Sequence, residues 1–133
     1  MKLTWGPAKG DTATFASVDG LEERLRDLSE KLDRPTLVEL RGRGHTVVLG
    51  LGRSEVVLTI HGGADEEDDL ATEWIAVGDR EREGQVDSWL FGEDHCELGA
   101  WQLIPRNEAI AAAVEFLRTL ELPVSITWDE NDY

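Results

Sequence analysis

The sequence feature that most constrains the fold is a block of alternating apolar and polar residues that runs from residue 36 to residue 103. The alternating runs are short, and the segments between them are rich in glycine and charged residues. Alternation with a period of two predicts half-buried β-strands, and short connections predict antiparallel neighbours. The centre of the chain is therefore expected to form an antiparallel meander.

Six strands are predicted within this block. They cover residues 36–41, 46–51, 55–60, 72–77, 85–91 and 95–103. RGRGH at 41–45 and LGRS at 51–54 have the composition of tight turns, and GED at 92–94 forms the short turn between the last two strands. Ahead of the block, glycines and a proline separate two apolar patches within residues 2–16, which predicts a hairpin at the sheet edge.

On both sides of this block, apolar residues recur at the three- and four-residue intervals of an α-helix. A first helix is predicted from the apolar stripe Leu21, Leu25, Leu28 and Leu32. Asp19 and Glu22 have the spacing of a capping box at its start, and Pro35 follows its end. A second helix is predicted from the stripe Ile110, Ala113, Val114 and Leu117.

The second helix belongs to a closing segment, residues 103–130, that is expected to seal the core. Pro105 is tolerated just inside a helix start, whereas Pro123 prevents the helix from continuing. Val124, Ile126 and Trp128 then alternate with polar residues. The last strand is therefore expected to have one apolar face on which the helix can lie.

These elements predict an α+β fold, with a single twisted antiparallel sheet of about six strands and two helices packed on one face. A length of 133 residues fits one domain spanning the whole chain. The one cysteine, Cys96, excludes an internal disulfide and leaves too few thiols for a structural zinc site. No stretch approaches the roughly 20 apolar residues of a membrane span, and no signal peptide is apparent, so a cytoplasmic location is expected.

The charge balance is strongly acidic. The chain has 28 Asp and Glu residues against 13 Lys and Arg residues, a formal net charge of −15. Such a surface repels phosphate backbones and anionic lipid, which disfavours direct binding to nucleic acid or membranes and favours a basic partner. Solubility alone, or adaptation to high salt, explains the same balance without a partner.

The densest acidic run is Asp65, Glu66, Glu67, Asp68 and Asp69. It lacks the alternating ligands, the central glycine and the terminal glutamate of a calcium-binding loop. A metal site is one interpretation of the run, and two others stay open. The run is either a solvated loop between two strands or a protein-binding loop that presents carboxylates to arginine and lysine.

A second candidate surface lies in the segment VDSWLF. Alternation places Asp87, Trp89 and Phe91 on one face of a strand. An acid beside two aromatic residues suits a partly exposed surface better than a core, and tryptophan is a preferred anchor in protein interfaces. Glu93 and Asp94 follow in the neighbouring turn.

No pattern of catalytic or cofactor-binding residues accompanies these features. His45, His61 and His95 belong to no spaced ligand motif, and the adjacent His95 and Cys96 point to opposite faces of a strand. GLG at 50–52 lacks the third glycine and the following helix of a dinucleotide site. We therefore expect a protein that is not an enzyme and that binds no metal or cofactor.

Two stretches of the chain resemble a known family. LIPRNEAIAAAVEFLRTLELPVSITWDE at 103–130, preceded by LVELRGRGHTVVLGLGRSEVVLTI at 37–60, is similar to the first immunity-protein family of bacterial polymorphic toxin systems. The resemblance covers most of the chain from about residue 36 onward. It is most specific in the AI-AA-EF helix and in the P-x-x-x-x-W-x-E ending, formed by Pro123, Trp128 and Glu130.

The resemblance implies a non-enzymatic antidote that binds a cognate toxin domain and blocks its active site or substrate path. Members often accompany toxins that deaminate nucleic acids, so a partner with a basic surface is expected, and the antidote acts as a monomer or as a heterodimer with the toxin. The candidate toxin contacts are Asp65, Glu66, Glu67, Asp68, Asp69, Asp87, Trp89, Glu93 and Asp94. The alternative is an acidic regulatory module, or a nucleic-acid mimic, for another basic partner.

Overall fold

A computed structural model describes residues 1–62 and 72–132, without the side chain of Asp132. These residues form eleven strands and two α-helices. The strands are β1 (Lys2–Thr4), β2 (Thr12–Thr14), β3 (Thr36–Gly42), β4 (His45–Leu51), β5 (Glu55–Val56), β6 (Leu58–Gly62), β7 (Thr72–Val77), β8 (Gln85–Leu90), β9 (Asp94–Gly99), β10 (Ile104–Pro105) and β11 (Thr127–Asp132). The helices are α1 (Leu21–Lys31) and α2 (Arg106–Thr119), and a short 3-10 helix, Ala100–Gln102, precedes β10.

Nine of the described strands form one sheet that branches at β3. Its order is β11-β7-β6-β4-β3-β1-β2, with β8 paired to β3 and β9 paired to β8. β1 is antiparallel to the second half of β3, whereas β8 is parallel to its first half, at Thr36 and Leu37. The α+β class and the mostly antiparallel sheet are confirmed. The sheet is larger than predicted because the N-terminal hairpin and β11 extend it on both sides.

The strand registers align alternate apolar side chains into a core on one face of this sheet. One row consists of Leu3, Leu40, Val47 and Ile60 from β1, β3, β4 and β6. A second row consists of Val38, Leu49 and Leu58 from β3, β4 and β6. All seven side chains are 0% exposed, so the pattern predicted from alternation does place one face of the meander in the core.

Both helices pack against this face of the sheet. α1 and α2 contact each other and β4, and their apolar stripes belong to a single core cluster. The buried hydroxyl of Ser29 accepts a hydrogen bond from the backbone N–H of Gly52 at 2.9 Å, which ties α1 to the turn after β4. Neither α1 nor α2 is long and apolar enough to cross a membrane.

The capping box predicted for α1 is wrong. Gly20 occupies the N-cap position in the left-handed conformation, with φ at 79°, and no side chain caps the helix. Glycine adopts a positive φ at little steric cost, so the chain can turn into the helix without a polar cap. Asp19 stands one residue further out, where its N–H donates to Ser17 Oγ at 3.2 Å.

Two predicted strands are each divided in two. The strand predicted at 55–60 breaks at Val57, whose carbonyl accepts the N–H of Gly50 at 2.8 Å. The strand predicted at 95–103 ends at Gly99, where the 3-10 helix turns the chain so that β10 pairs with β5. The resulting β5–β10 ribbon meets the start of α2, since the N–H of Arg106 donates to the carbonyl of Ser54 at 2.8 Å.

The closing strand begins later than predicted. A turn precedes it, in which the N–H of Ile126 lies 3.4 Å from the carbonyl oxygen of Pro123 and Val124 is fully exposed. The predicted apolar face is therefore wrong at Val124, because the turn interrupts the alternation. Ile126 and Trp128 do pack against the core, and Trp128 Nε1–H donates to the carbonyl of Pro123 at 3.1 Å.

The placement of α2 is tested by a pair of substitutions on opposite sides of the helix. Val114 is 4% exposed, so Val114→Asp should prevent stable folding because the carboxylate would be buried without a partner. Ala111→Asp adds the same charge on the exposed side of α2 and should leave the urea midpoint nearly unchanged. Circular dichroism during urea unfolding measures both. A Val114→Asp protein with the midpoint of the unmodified chain would contradict this packing.

Candidate functional site

The candidate site is carried by the β8–β9 hairpin. Its register pairs Leu90 with Asp94, so Phe91, Gly92 and Glu93 form a three-residue turn. Phe91 and Gly92 have positive φ values of 54° and 74°. A bulky residue rarely adopts this conformation, and hydrogen bonds hold it here. The N–H of Phe91 donates to the carbonyl of Leu37 at 3.0 Å, and the N–H of Gly92 to that of Trp89 at 3.1 Å.

The inner face of the hairpin lies against the sheet. Ser88 is buried, and Val86, Ser88 and Leu98 border a small cavity of about 20 Å³ together with Val57. The N–H of Trp89 donates to the carbonyl of Pro35 at 3.0 Å, which fixes β8 beside the start of β3. Because side chains alternate along a strand, the other face of the hairpin is directed to solvent.

The outer face of the hairpin carries Asp87, Trp89, His95 and Glu97, because Asp87 is paired with Glu97 and Trp89 with His95. Asp87 Oδ1 lies 2.8 Å from His95 Nε2, and the ring centroids of Trp89 and His95 are 5.3 Å apart. The guanidinium carbon of Arg34 lies 4.6 Å from the Trp89 ring centroid, and Arg34 Nη2 donates to the carbonyl of Gly92 at 2.5 Å. Trp89 is therefore half-buried and held by a cation and an imidazole.

The segment 79–97, which includes the hairpin, carries a large share of exposed carboxylates. It contains seven Asp and Glu residues and two arginines. Both arginines are paired, Arg80 with Asp129 at 2.9 and 2.5 Å and Arg82 with Glu55 at 3.1 Å. Six carboxylates of this segment lack a cationic partner among the described residues, and all six are exposed: Asp79, Glu81, Glu83, Glu93, Asp94 and Glu97.

The structure groups four of the residues predicted as contacts. Asp87 and Trp89 share the outer face of the hairpin, Glu93 lies in its turn, and Asp94 opens β9. Trp89 is half-buried and the three carboxylates are exposed. Together with His95 and Glu97, these four residues are named the hairpin surface.

The predicted acidic run cannot be placed relative to this group. Asp65, Glu66, Glu67, Asp68 and Asp69 lie outside the described residues. Gly62, which precedes the run, pairs with His45 at the end of the sheet where β3 and β4 are joined. β8 meets β3 at the other end, at Thr36. Thr36 precedes Gly42, the β3 partner of His45, by six residues, so Gly62 and the hairpin lie about 20 Å apart along the strand direction.

Sequence reasoning missed three residues of the site. His95 and Glu97 reach the outer face because the antiparallel register places them opposite Trp89 and Asp87. Alternation along residues 95–99 could have identified both once the turn was located. Arg34 lies far from the hairpin in sequence, and no local pattern could have placed its guanidinium over Trp89.

Within the described residues, Asp87, His95 and Glu97 could hold a metal ion, since their ligand atoms all lie within 4.8 Å of one another. All three are exposed, and exposed acidic groups are common without an ion. The Asp87–His95 contact already uses Asp87 Oδ1 and His95 Nε2. The expectation that the chain binds no metal stays a prediction.

Comparison with known protein families identifies the class of this chain. The family model for immunity protein Imm1 matches residues 9–130. Because the match spans nearly the whole chain, this protein belongs to the Imm1 immunity protein family. The match confirms the resemblance seen at 37–60 and 103–130, and it also includes β2 and α1, which those motifs do not cover. A comparison with curated proteins found no match.

An ion pair beside the hairpin changes the pKa values of its members. The Arg80 guanidinium hydrogen-bonds both carboxylate oxygens of Asp129 and so joins the loop after β7 to β11. These hydrogen bonds stabilise the charged forms, which lowers the pKa of Asp129 and raises the pKa of Arg80. In the folded protein Asp129 therefore binds a proton less tightly than in the unfolded chain.

This ion pair can be tested by titrating Asp129. Its NMR-detected pKa should lie below the ordinary aspartate value, and Arg80→Gln should raise the pKa of Asp129 towards that ordinary value. The stabilisation from the pair should be present at neutral pH and lost as the pH falls through the folded-state pKa of Asp129. Identical titration curves in the two proteins would show that the ion pair is not formed.

Proposed function

We propose that this protein is an antidote that binds a cognate bacterial toxin domain and blocks its active site or substrate path. Membership of the Imm1 immunity protein family supports this role and carries the proposal. The toxin is one that acts on nucleic acid, such as a deaminase. It then needs a basic surface for phosphate groups, and such a surface complements a chain with a net charge of −15. The antidote acts in the cytoplasm, without catalysis, as a monomer that forms a heterodimer with the toxin.

The hairpin surface is the toxin contact favoured by the geometry of the described residues. Carboxylates without a cationic partner surround the turn, so they remain available to attract a basic groove. Charges on the rim of an interface mainly raise the association rate, by about 10- to 1,000-fold for a whole surface at low salt. The acidic residues of the hairpin would therefore orient the toxin during encounter.

Trp89 is the proposed anchor of this contact. Large aromatic side chains often dominate the binding energy of an interface. Arg34 and His95 already hold the Trp89 ring in one orientation, so less side-chain entropy is lost when a partner covers it. Trp89 should therefore slow dissociation more than it speeds association.

The acidic run Asp65, Glu66, Glu67, Asp68 and Asp69 is proposed as a second acidic contact. The offset of about 20 Å along the strands between Gly62 and the hairpin lies within the width of a standard protein interface. One extended basic groove on the toxin could therefore engage both acidic surfaces. Neutralising the run should slow association without affecting the hairpin contact.

The immunity role is tested by coexpression with the toxin domain encoded beside this protein's gene. Growth should be restored, and the two chains should copurify as a 1:1 complex because a monomeric antidote offers one copy of the hairpin surface. A toxin domain that neither binds this protein nor loses toxicity in its presence would refute the proposal.

The proposed contact is tested by kinetics of the same complex. Glu93→Gln with Asp94→Asn should lower the association rate about threefold at low salt, with a smaller effect at high salt. Trp89→Ala should instead raise the dissociation rate about tenfold or more. Stopped-flow or surface-plasmon measurements at several salt concentrations separate the two rates.

A matched control distinguishes a local contact from net charge. Glu23→Gln with Asp27→Asn removes the same two charges from exposed positions on α1 and should leave the association rate almost unchanged. If both double variants slow association equally, net charge and not the hairpin surface governs encounter. An unchanged dissociation rate for Trp89→Ala would remove the proposed anchor.

A further inference from the structure

A groove of about 520 Å³ opens where β7 ends and β11 begins, beside the β5–β10 ribbon and the first turn of α2. Its volume falls within the range of typical ligand pockets. The groove has a buried apolar floor, formed by Val77, Ile104 and Ile126. Three exposed carboxylates stand around it: Glu55, Asp79 and Glu108.

Backbone contacts fix the walls of this groove. The N–H of Gly78 donates to the carbonyl of Trp101 at 2.9 Å. A Cβ atom at Gly78 would lie 1.9 Å from the carbonyl oxygen of Leu103, so only glycine allows this approach. On the other side, Pro105 pairs with Glu55 in the β5–β10 ribbon. The groove is therefore preformed and does not require a rearrangement to open.

The charges around the groove are not balanced. Arg82 is the one cation among the described lining residues, and its Nη1 donates to both carboxylate oxygens of Glu55 at 3.2 and 3.1 Å. Asp79 Oδ1 accepts the N–H of Glu81 at 3.0 Å, which fixes the side chain but leaves its charge in place. Neither Asp79 nor Glu108 forms an ion pair with a cation in the described part of the chain. Two of the three carboxylates that line the groove, Asp79 and Glu108, thus have no counter-ion among the described residues.

We propose that this groove receives a lysine or arginine side chain from the toxin. The alkyl stem lies on Val77, Ile104 and Ile126, and the cationic head lies between Asp79 and Glu108. Long cationic side chains favour such sites because they cover apolar surface with the stem while the charged head makes charge-assisted hydrogen bonds. The inference rests on the proposed function and adds a specificity site to it.

The groove and the hairpin surface belong to the same end of the molecule. Residues 78–84 connect the end of β7 to the start of β8, so the segment that supplies Asp79 and Arg82 leads directly into the hairpin. Glu55 and Leu103 line both this groove and the small cavity bordered by Val86, Ser88 and Leu98, so the groove adjoins the hairpin that carries the proposed toxin contact. The basic partner proposed above supplies the required charge.

The first test measures toxin affinity. Asp79→Asn with Glu108→Gln preserves side-chain shape and the Asp79 Oδ1 acceptor, and it should weaken toxin binding about tenfold. Glu23→Gln with Asp27→Asn, which changes the net charge equally, should not weaken binding. If the groove variant binds as tightly as the unmodified protein, or if both variants weaken binding equally, the groove proposal is wrong. If the unmodified protein does not bind the toxin, the proposed function fails instead.

The second test examines the groove without the toxin. N-acetyl-argininamide should shift the methyl NMR signals of Ile104 and Ile126 in a saturable way, and its neutral analogue N-acetyl-citrullinamide should bind at least fivefold more weakly. The core methyl signals of Leu49 should not move. Equal shifts with both compounds, or shifts that persist unchanged in the Asp79→Asn, Glu108→Gln protein, would overturn the assignment of a cation site.

Discussion

One edge of β3 is shared between two partner strands, β1 and β8, and the hairpins to which these two strands belong are attached there. The second half of β3 pairs with β1 and its first half with β8, so one strand supports both the N-terminal hairpin and the β8–β9 hairpin. Only two residue pairs join β3 to β8. Backbone hydrogen bonds from Trp89 and Phe91 and the contacts of Arg34 complete the attachment. The hairpin therefore has one face directed to the sheet and one face free for a partner.

Much of the fold follows from local patterns, and the failures have identifiable causes. Alternation located β3, β4, β7 and β8 to within a residue, and helical spacing located α2, because a buried face imposes its period on the sequence. Alternation could not show that a backbone contact with Gly50 breaks the strand at Val57 or that a turn exposes Val124. The parallel pairing of β3 with β8 also has no local signature, since strands far apart in sequence meet over two residue pairs.

Some features of the candidate site could also be predicted from the sequence, whereas others depend on the tertiary structure. The shared face of Asp87 and Trp89 could be read from alternation alone, and the family could be read from residues 37–60 and 103–130. The cross-strand contact with His95, the cation over Trp89 and the carboxylates of the groove depend on tertiary structure. Composition gives the total charge, but only the fold shows which carboxylates lack a cationic partner among the described residues. Those carboxylates, more than the net charge, make this end of the molecule suited to a basic partner.

In the proposed complex, the toxin seats on the hairpin surface and reaches into the neighbouring groove. Hydrogen–deuterium exchange of this protein, alone and in complex with its toxin domain, measures where the toxin binds. Exchange in the complex should slow along residues 78–97 and at the start of β11, with little change along α1. Protection confined to α1 and the N-terminal hairpin, with exchange along residues 78–97 unchanged, would show that the toxin does not bind the hairpin surface.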